Sequence, residues 1–361
     1  MAVVQRVASP PYDVIDTREA RALAGDDPVS FLHVTRPEID LPEGTDEHAE
    51  AVYERARDNL RAMVENGTFV RDPEPALYLY AQQMGSHRQV GVVGVVSVRE
   101  YDEDVIKKHE KTRADKEDDR TRHIDVLSAH DEPVFLTYRK SAAIDARVAV
   151  ATQAAPAYDF STADGVRHTL WVLDGAETAS IGAAFERVPC LYVADGHHRS
   201  AAASRVNKER RGDGGEHDVF LAVIFPDDQM QILPYNRVVR DLAGRSTADL
   251  LAAIGEVFDV RPSEGAAPSE PKSFGLYLGG KWYSARVREG SYDQADVVKS
   301  LDCSICQDQL LGPLFGVKDP RRDGHVDFVG GIRGTKELER RVDSGEMTLG
   351  IALFPTQIEE L

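Results

Sequence analysis

The chain has 361 residues, enough for two or three domains of ordinary size, and 42% of them are hydrophobic, which allows a real core. Lys and Arg number 43 against 61 Asp and Glu, so the net charge is −18, which argues against a general binder of nucleic acid or of an anionic membrane surface. No apolar run approaches the roughly 18 residues that span a bilayer, the N-terminus has no apolar signal core, and three cysteines do not make a disulfide framework; the expectation is a soluble cytoplasmic protein.

In chain order, Ser9-Pro10-Pro11-Tyr12-Asp13-Val14-Ile15 is extended, because two successive prolines exclude a helix interior. A helix follows, capped by Asp16 or Thr17. Phe31–Val34 reads as a short strand. Within 46–66, Val52, Ala56, Leu60 and Met63 recur near the 3.6-residue period, which predicts an amphipathic helix ended by Asn66-Gly67. ALYLYAQQM (76–84) and VGVVGVVSVREY (90–101) predict a β-hairpin. Residues 107–123 change character and read KKHEKTRADKEDDRTRH. Strands are expected at 133–138, 168–173, 190–195 and 219–225, with Ala-rich helical text between 142 and 185. ILPYNRVVRDL (232–242) follows a polar turn. A helix is expected over 247–258, and SEGAAPSEPKS (263–273) is a candidate linker or long surface loop. FGLYLGGKWYSARV (274–287) is a hairpin turning at Gly279-Gly280. Helix (301–316), strand (325–331), helix (335–346) and strand (348–355) complete the chain. This mixture indicates an α+β protein rather than a regular doubly wound sheet.

The strongest chemical feature is Val193-Ala194-Asp195-Gly196-His197-His198-Arg199-Ser200, followed by alanines. A buried strand stops at an acid and a glycine, and a helix begins. Gly196 permits a tight turn or close approach to a ligand. The first N–H groups of the helix favour an anion, and Arg199 adds a planar permanent charge suited to phosphate. His197 and His198 can donate to phosphate or move protons near neutral pH, and Asp195 can hold a hydroxyl or a metal ion. The competing reading is a helix capped by Asp with solvated histidines.

The second feature is Lys107-Lys108-His109-Glu110-Lys111-Thr112-Arg113. The chain has 11 lysines and none precedes Lys107; Lys107, Lys108, Lys111 and Lys116 fall together. This basic island suits a polyphosphate, and Glu110 within it is held ionised, as a base or metal ligand must be. The alternative is a solvated helix with pairs such as Lys111–Asp115. The third feature is Phe328-Val329-Gly330-Gly331-Ile332-Arg333-Gly334-Thr335, where Thr335 can cap a helix and Arg333 can meet an anion; neither a P-loop nor a dinucleotide fingerprint is present. Cys303-x-x-Cys306 has no second pair and reads as core packing on one helix face. Asn236-Arg237, after a strand, is a further candidate for lining the cleft of the histidines.

VADGHHRSAAA, IKKHEKTRADKEDDRTRH and SPPYDVI resemble the DUF1015 family, as do FLHVTRPEIDLP, PVFLTY, LPYNRVV, CQDQLLGPLFG and DFVGGIRG, over essentially the whole chain. The family resemblance also implies further residues before SPPYDVI and a Pro-Pro-Lys-Ser-Thr-Trp-Phe-like segment after ALFPT, where this chain has Ile358-Glu359-Glu360-Leu361. The DGHHR segment is more distantly similar to free serine kinases of the ParB/sulfiredoxin-like fold. That resemblance implies a ParB-like core over 100–242, between α+β regions at 1–99 and 243–361. It implies phosphoryl transfer from ATP or ADP, with Mg²⁺, to serine or another small hydroxy acid. Asp195, Gly196, His197, His198 and Arg199 match the kinases' nucleotide and phosphate motif, and Glu110 matches the base. Lys107, Lys108, Lys111 and Arg333 would neutralise phosphate, and Asp195 would hold Mg²⁺ or the acceptor. The alternatives are a phosphatase or nucleotide hydrolase acting with the same groups, and a nucleotide-sensing regulator without turnover. No recognisable helix-turn-helix supports a partition role.

Overall fold

The computed structural model describes residues 3–110, 112–211, 215–320, 323–357 and 360. The chain forms two compact units, 1–230 and 231–361. The divisions expected at 99/100 and 242/243 therefore differ from the observed one. The reason is sheet pairing: the hairpin before residue 99 shares a sheet with the strands that follow it, and the LPYNRVV strand joins the last sheet.

The strands of the first unit are β1 (Tyr78–Met84), β2 (His87–Ser97), β3 (Ile106–Lys107), β4 (Val134–Tyr138), β5 (Tyr158–Ser161), β6 (Arg167–Val172), β7 (Leu191–Asp195) and β8 (Val219–Pro226). They make one mixed sheet in the order β3-β7-β4-β8-β2-β1-β6-β5. β1 and β2 form the expected antiparallel hairpin, with Met84 opposite His87. β3 runs parallel to β7, and β4 parallel to β8. Val134, Leu136, Val193, Phe220 and Ala222 alternate onto one buried face, as the two-residue period of a strand requires.

The principal helices here are α1 (Thr17–Ala24), α2 (Glu50–Glu65), α3 (Ala114–Leu127), α4 (Ala142–Ala151), α5 (Gly175–Phe185) and α6 (His197–Glu209). Asp16 caps α1 in a full capping box with Glu19. Phe31–Val34 is not a strand; Leu32–Thr35 is one helical turn. It has no strand to pair with, and Val34 instead packs with Ala56 and Met63 of α2. The charged run 107–123 is mostly helix α3, lying on α6 through Ile124, Ala202 and Val206. Ion pairs flank that contact: Arg205–Asp118 at 2.5 Å and Arg210–Asp125 at 2.9 Å. Asp115 pairs with Arg113 at 2.6 Å; Lys111, its expected partner, lies outside the described residues.

The second unit has β9 (Tyr235–Val239), β10 (Phe258–Ser263), β11 (Ser273–Leu278), β12 (Lys281–Val287), β13 (Val326–Gly330) and β14 (Leu349–Leu353), antiparallel in the order β10-β12-β11-β14-β9-β13. Helices α7 (Thr247–Gly255) and α8 (Gly334–Asp343) accompany it. α7 ends at Gly255, so Phe258 opens a strand instead of closing a helix. Residues 264–272 are a loop between β10 and β11 within one sheet, not an interdomain linker. The stretch 301–316 is helical but widens to a π turn over Cys306–Leu311, just before Pro313, whose missing N–H cannot continue the regular ladder. Thr335 does not cap α8; the helix starts at Gly334. No helix among the described residues is long and apolar enough to cross a membrane.

Candidate functional site

β7 ends at Asp195, the chain turns on Gly196, and α6 starts at His197. Gly196 has φ 94°, in the left-handed region that a side chain disfavours. A Cβ there would also stand 3.1 Å from Arg199 Nε. The first N–H groups of α6 have no acceptor within the helix, so this turn presents positive partial charge.

The sheet brings the basic segment to the same place. β3 pairs Lys107 with Tyr192 of β7, and the chain then leads to His109 and Glu110. Glu110 Oε2 lies 3.7 Å from His197 Nδ1. The His109 ring meets the His197 ring edge-on, with centroids 4.4 Å apart. His198 Nε2 accepts the Arg113 backbone N–H at 3.1 Å. His197 is buried, and its Nε2 has no hydrogen-bond partner. Burial, followed by the neighbouring His109 and His198, pushes its pKa down to about 4, so the imidazole is neutral at pH 7. His197 is thus neutral at pH 7, whereas its sequence suggested a group that titrates near neutrality.

The remaining groups are less free than their composition suggests. Arg199 Nη2 donates to Asp195 Oδ2 at 2.7 Å, and Nη1 donates to the Pro133 carbonyl at 2.9 Å. The guanidinium is largely buried and turned inward, whereas the Asp195 side chain is 68% exposed. Lys108 Nζ donates to the Tyr101 carbonyl at 2.7 Å and sits 4.3 Å from the centre of its ring. Lys107 and Lys108 both lie near Asp104, at 3.6 and 3.5 Å, so this acid offsets part of the basic island. Lys111 falls outside the described residues. Arg333 ends the turn Gly331–Arg333 in the second unit. Among the described residues, no group of three or more His, Cys, Asp or Glu side chains is disposed to hold a metal ion.

Behind the DGHHR turn lies a buried charged network that residue-level reading of the sequence missed. Glu132 Oε1 accepts the Tyr12 backbone N–H at 2.9 Å, and Oε2 lies 3.6 Å from Arg199 Nη1 without a hydrogen bond. Burial, with the adjacent Asp131 charge, pushes the Glu132 carboxyl up to about 7. The Tyr12 ring lies against Arg120, whose guanidinium is 3.9 Å from the ring centre and donates twice to Asp119 Oδ2. Asp119 also accepts from the Tyr53 hydroxyl at 2.8 Å. Asp131 pairs with His123 at 2.8 Å. SPPYDVI, the α3 segment and DGHHR therefore converge through Tyr12, Arg120, Glu132 and Arg199. The signal was present in His130-Asp131-Glu132-Pro133: two acids directly before a buried strand need buried partners.

The family described as protein of unknown function (DUF1015) matches residues 1–304, most of the chain. No curated protein and no solved structure matches. With the family's match running through the SPPYDVI turn, the Glu110 segment and the DGHHR helix, the chain belongs to the DUF1015 family.

Proposed function

We propose that the first unit transfers a phosphoryl group from ATP or ADP to a small hydroxy compound, serine or a related hydroxy acid, on a core of the ParB/sulfiredoxin-like kind. The observation that carries this reading is the meeting of Glu110 with His197 at the N-terminus of α6, 3.7 Å apart. A carboxylate beside a helix N-terminus places a base where phosphate is favoured. Glu110 is 62% exposed and accessible to an acceptor hydroxyl. His197, neutral and buried, stands beside it. The helix N–H groups, His198 and Lys107 would face the transferring phosphate, whose charge spreads over its oxygens. Arg199 serves mainly to tie Asp195 and Glu132 to the turn.

The site fits Mg²⁺ in the manner usual for nucleotide enzymes, which supply one or two carboxylates while phosphate and water complete the shell. Asp195 has an exposed carboxylate with one oxygen bound by Arg199, leaving Oδ1 to hold the ion. Bound there, Mg²⁺ would neutralise phosphate charge.

Under this reading Glu110→Gln lowers turnover by about 10²–10⁴-fold, the usual worth of a general base. Nucleotide affinity, measured by calorimetry, stays near that of the parent. Lys107→Ala/His198→Ala, which removes the two side chains facing the phosphate, loses most of the nucleotide binding. Full turnover in Glu110→Gln contradicts the assignment of the base, and undiminished binding in the double variant contradicts the site.

A further inference from the structure

Three motifs lie in the second unit: LPYNRVV, CQDQLLGPLFG and DFVGGIRG. They converge on Arg237. On β9 this residue stands opposite Phe328 of β13. Its guanidinium lies 4.4 Å from the centre of the Phe328 ring and 5.2 Å from that of Tyr235. The two rings stack on each other 5.1 Å apart. The Cys303 and Cys306 thiols, from the helical segment packed against this sheet, lie within electrostatic range of Arg237.

Arg237 is only 9% exposed. Nη1 donates to the carbonyls of Tyr235 and Asn236. Among the described residues, no carboxylate lies within ion-pair distance, and neither Nε nor Nη2 makes a hydrogen bond. Burial without a counter-ion is costly enough to lower the tendency of this guanidinium to stay charged. Ring faces recover part of that cost; an anion recovers more. The unused Nε and Nη2 form the edge of the guanidinium that binds a two-oxygen group side-on. Beside it, Tyr235 is 57% exposed and Cys303 partly exposed, so its surroundings reach the surface of the unit.

We propose that Arg237, framed by Tyr235, Phe328 and Cys303, is a binding site for a small oxyanion, carboxylate or phosphate, in the second unit. The anion would sit on the Nε–Nη2 edge and complete the charge of the buried guanidinium. This inference does not depend on the phosphoryl-transfer reading.

Cys303 supplies a local readout. An anion held on the Nε–Nη2 edge would cover the neighbouring sulfur and slow its alkylation. The full chain carrying Lys107→Ala/His198→Ala, which removes the side chains proposed to face phosphate in the first unit, is alkylated with iodoacetamide. Peptide mass mapping follows Cys303, with Cys190 as reference. Inorganic phosphate, acetate and chloride are compared at equal ionic strength. Phosphate or acetate is expected to slow Cys303 by about tenfold relative to chloride, leaving Cys190 unchanged. The anion that protects identifies the class. Arg237→Gln is expected to abolish the protection; should it fail to fold, Arg237→Lys, which keeps the charge without the fork, is expected to lose most of it. Equal rates in all three salts, slowing shared by Cys190, or protection that survives the Arg237 variants overturns the proposal.

Discussion

At the scale of single residues, two buried groups should titrate in opposite directions. Glu132 has its carboxyl raised from 4.5 to about 7 in the fold. Its contribution to stability is complete below the unfolded value and is lost as the pH rises through 7. Glu132→Gln should therefore gain on the parent between pH 5 and 8, by on the order of 3 kcal/mol, read from denaturant unfolding at each pH. His197 is lowered from 6.5 to about 4, so its contribution is complete above 6.5 and is lost as the pH falls toward 4. His197→Gln should gain on the parent as the pH is lowered from about 7 to 5. Flat differences in both variants would show that neither group is shifted by burial. These residues also mark what the sequence could reveal. The chemical character of Asp195-Gly196-His197-His198-Arg199 was legible because a strand, a glycine and an amphoteric cluster stand together in the chain. That Arg199 faces inward was not legible, because its partners Pro133 and Glu132 are more than sixty residues away.

Among elements, periodicity read well where one face is buried. α2 and the β1–β2 hairpin follow their patterns, since alternation and 3.6-residue spacing both report a core on one side. It failed where the run was short. Leu32–Thr35 has too few residues to display a period, and packing against Ala56 and Met63 settled its form. Local chemistry at element ends gives two predictions. Asp16→Ala removes the side-chain acceptor of the Glu19 N–H and should cost about 1 kcal/mol in a denaturation curve, whereas Asp16→Asn should cost little. Gly275 lies under the 264–272 loop, and a Cβ there would stand 2.1 Å from the Ala266 carbonyl oxygen. Gly275→Ala should therefore destabilise by about 1–3 kcal/mol, as overpacking does, while Gly182→Ala, at an ordinary φ on α5, meets no neighbour. A neutral Gly275→Ala would mean that this loop does not lie on β11.

For the whole molecule, two separate cores explain why the motifs sort into two groups. SPPYDVI, the α3 segment and DGHHR meet in 1–230, and LPYNRVV, CQDQLLGPLFG and DFVGGIRG meet in 231–361. Each unit carries one tryptophan, Trp171 in the first and Trp282 in the second. In Trp282→Phe, fluorescence reports the first unit; in Trp171→Phe, it reports the second. Two cores predict unfolding midpoints that differ between the two reporters, and coincident curves would show a single cooperative body. The clustering around Glu110 and His197 remains the centre of the functional account, and turnover tests it most directly. Purified protein with Mg²⁺ and either ATP or ADP is incubated with a pool of small hydroxy acids including L-serine and lactate, and the products are read by mass spectrometry. The account predicts a newly phosphorylated acceptor that disappears in Glu110→Gln. Nucleotide consumed without such a product would point to a hydrolase, and nucleotide bound but unchanged to a sensor; either result contradicts the proposed transfer.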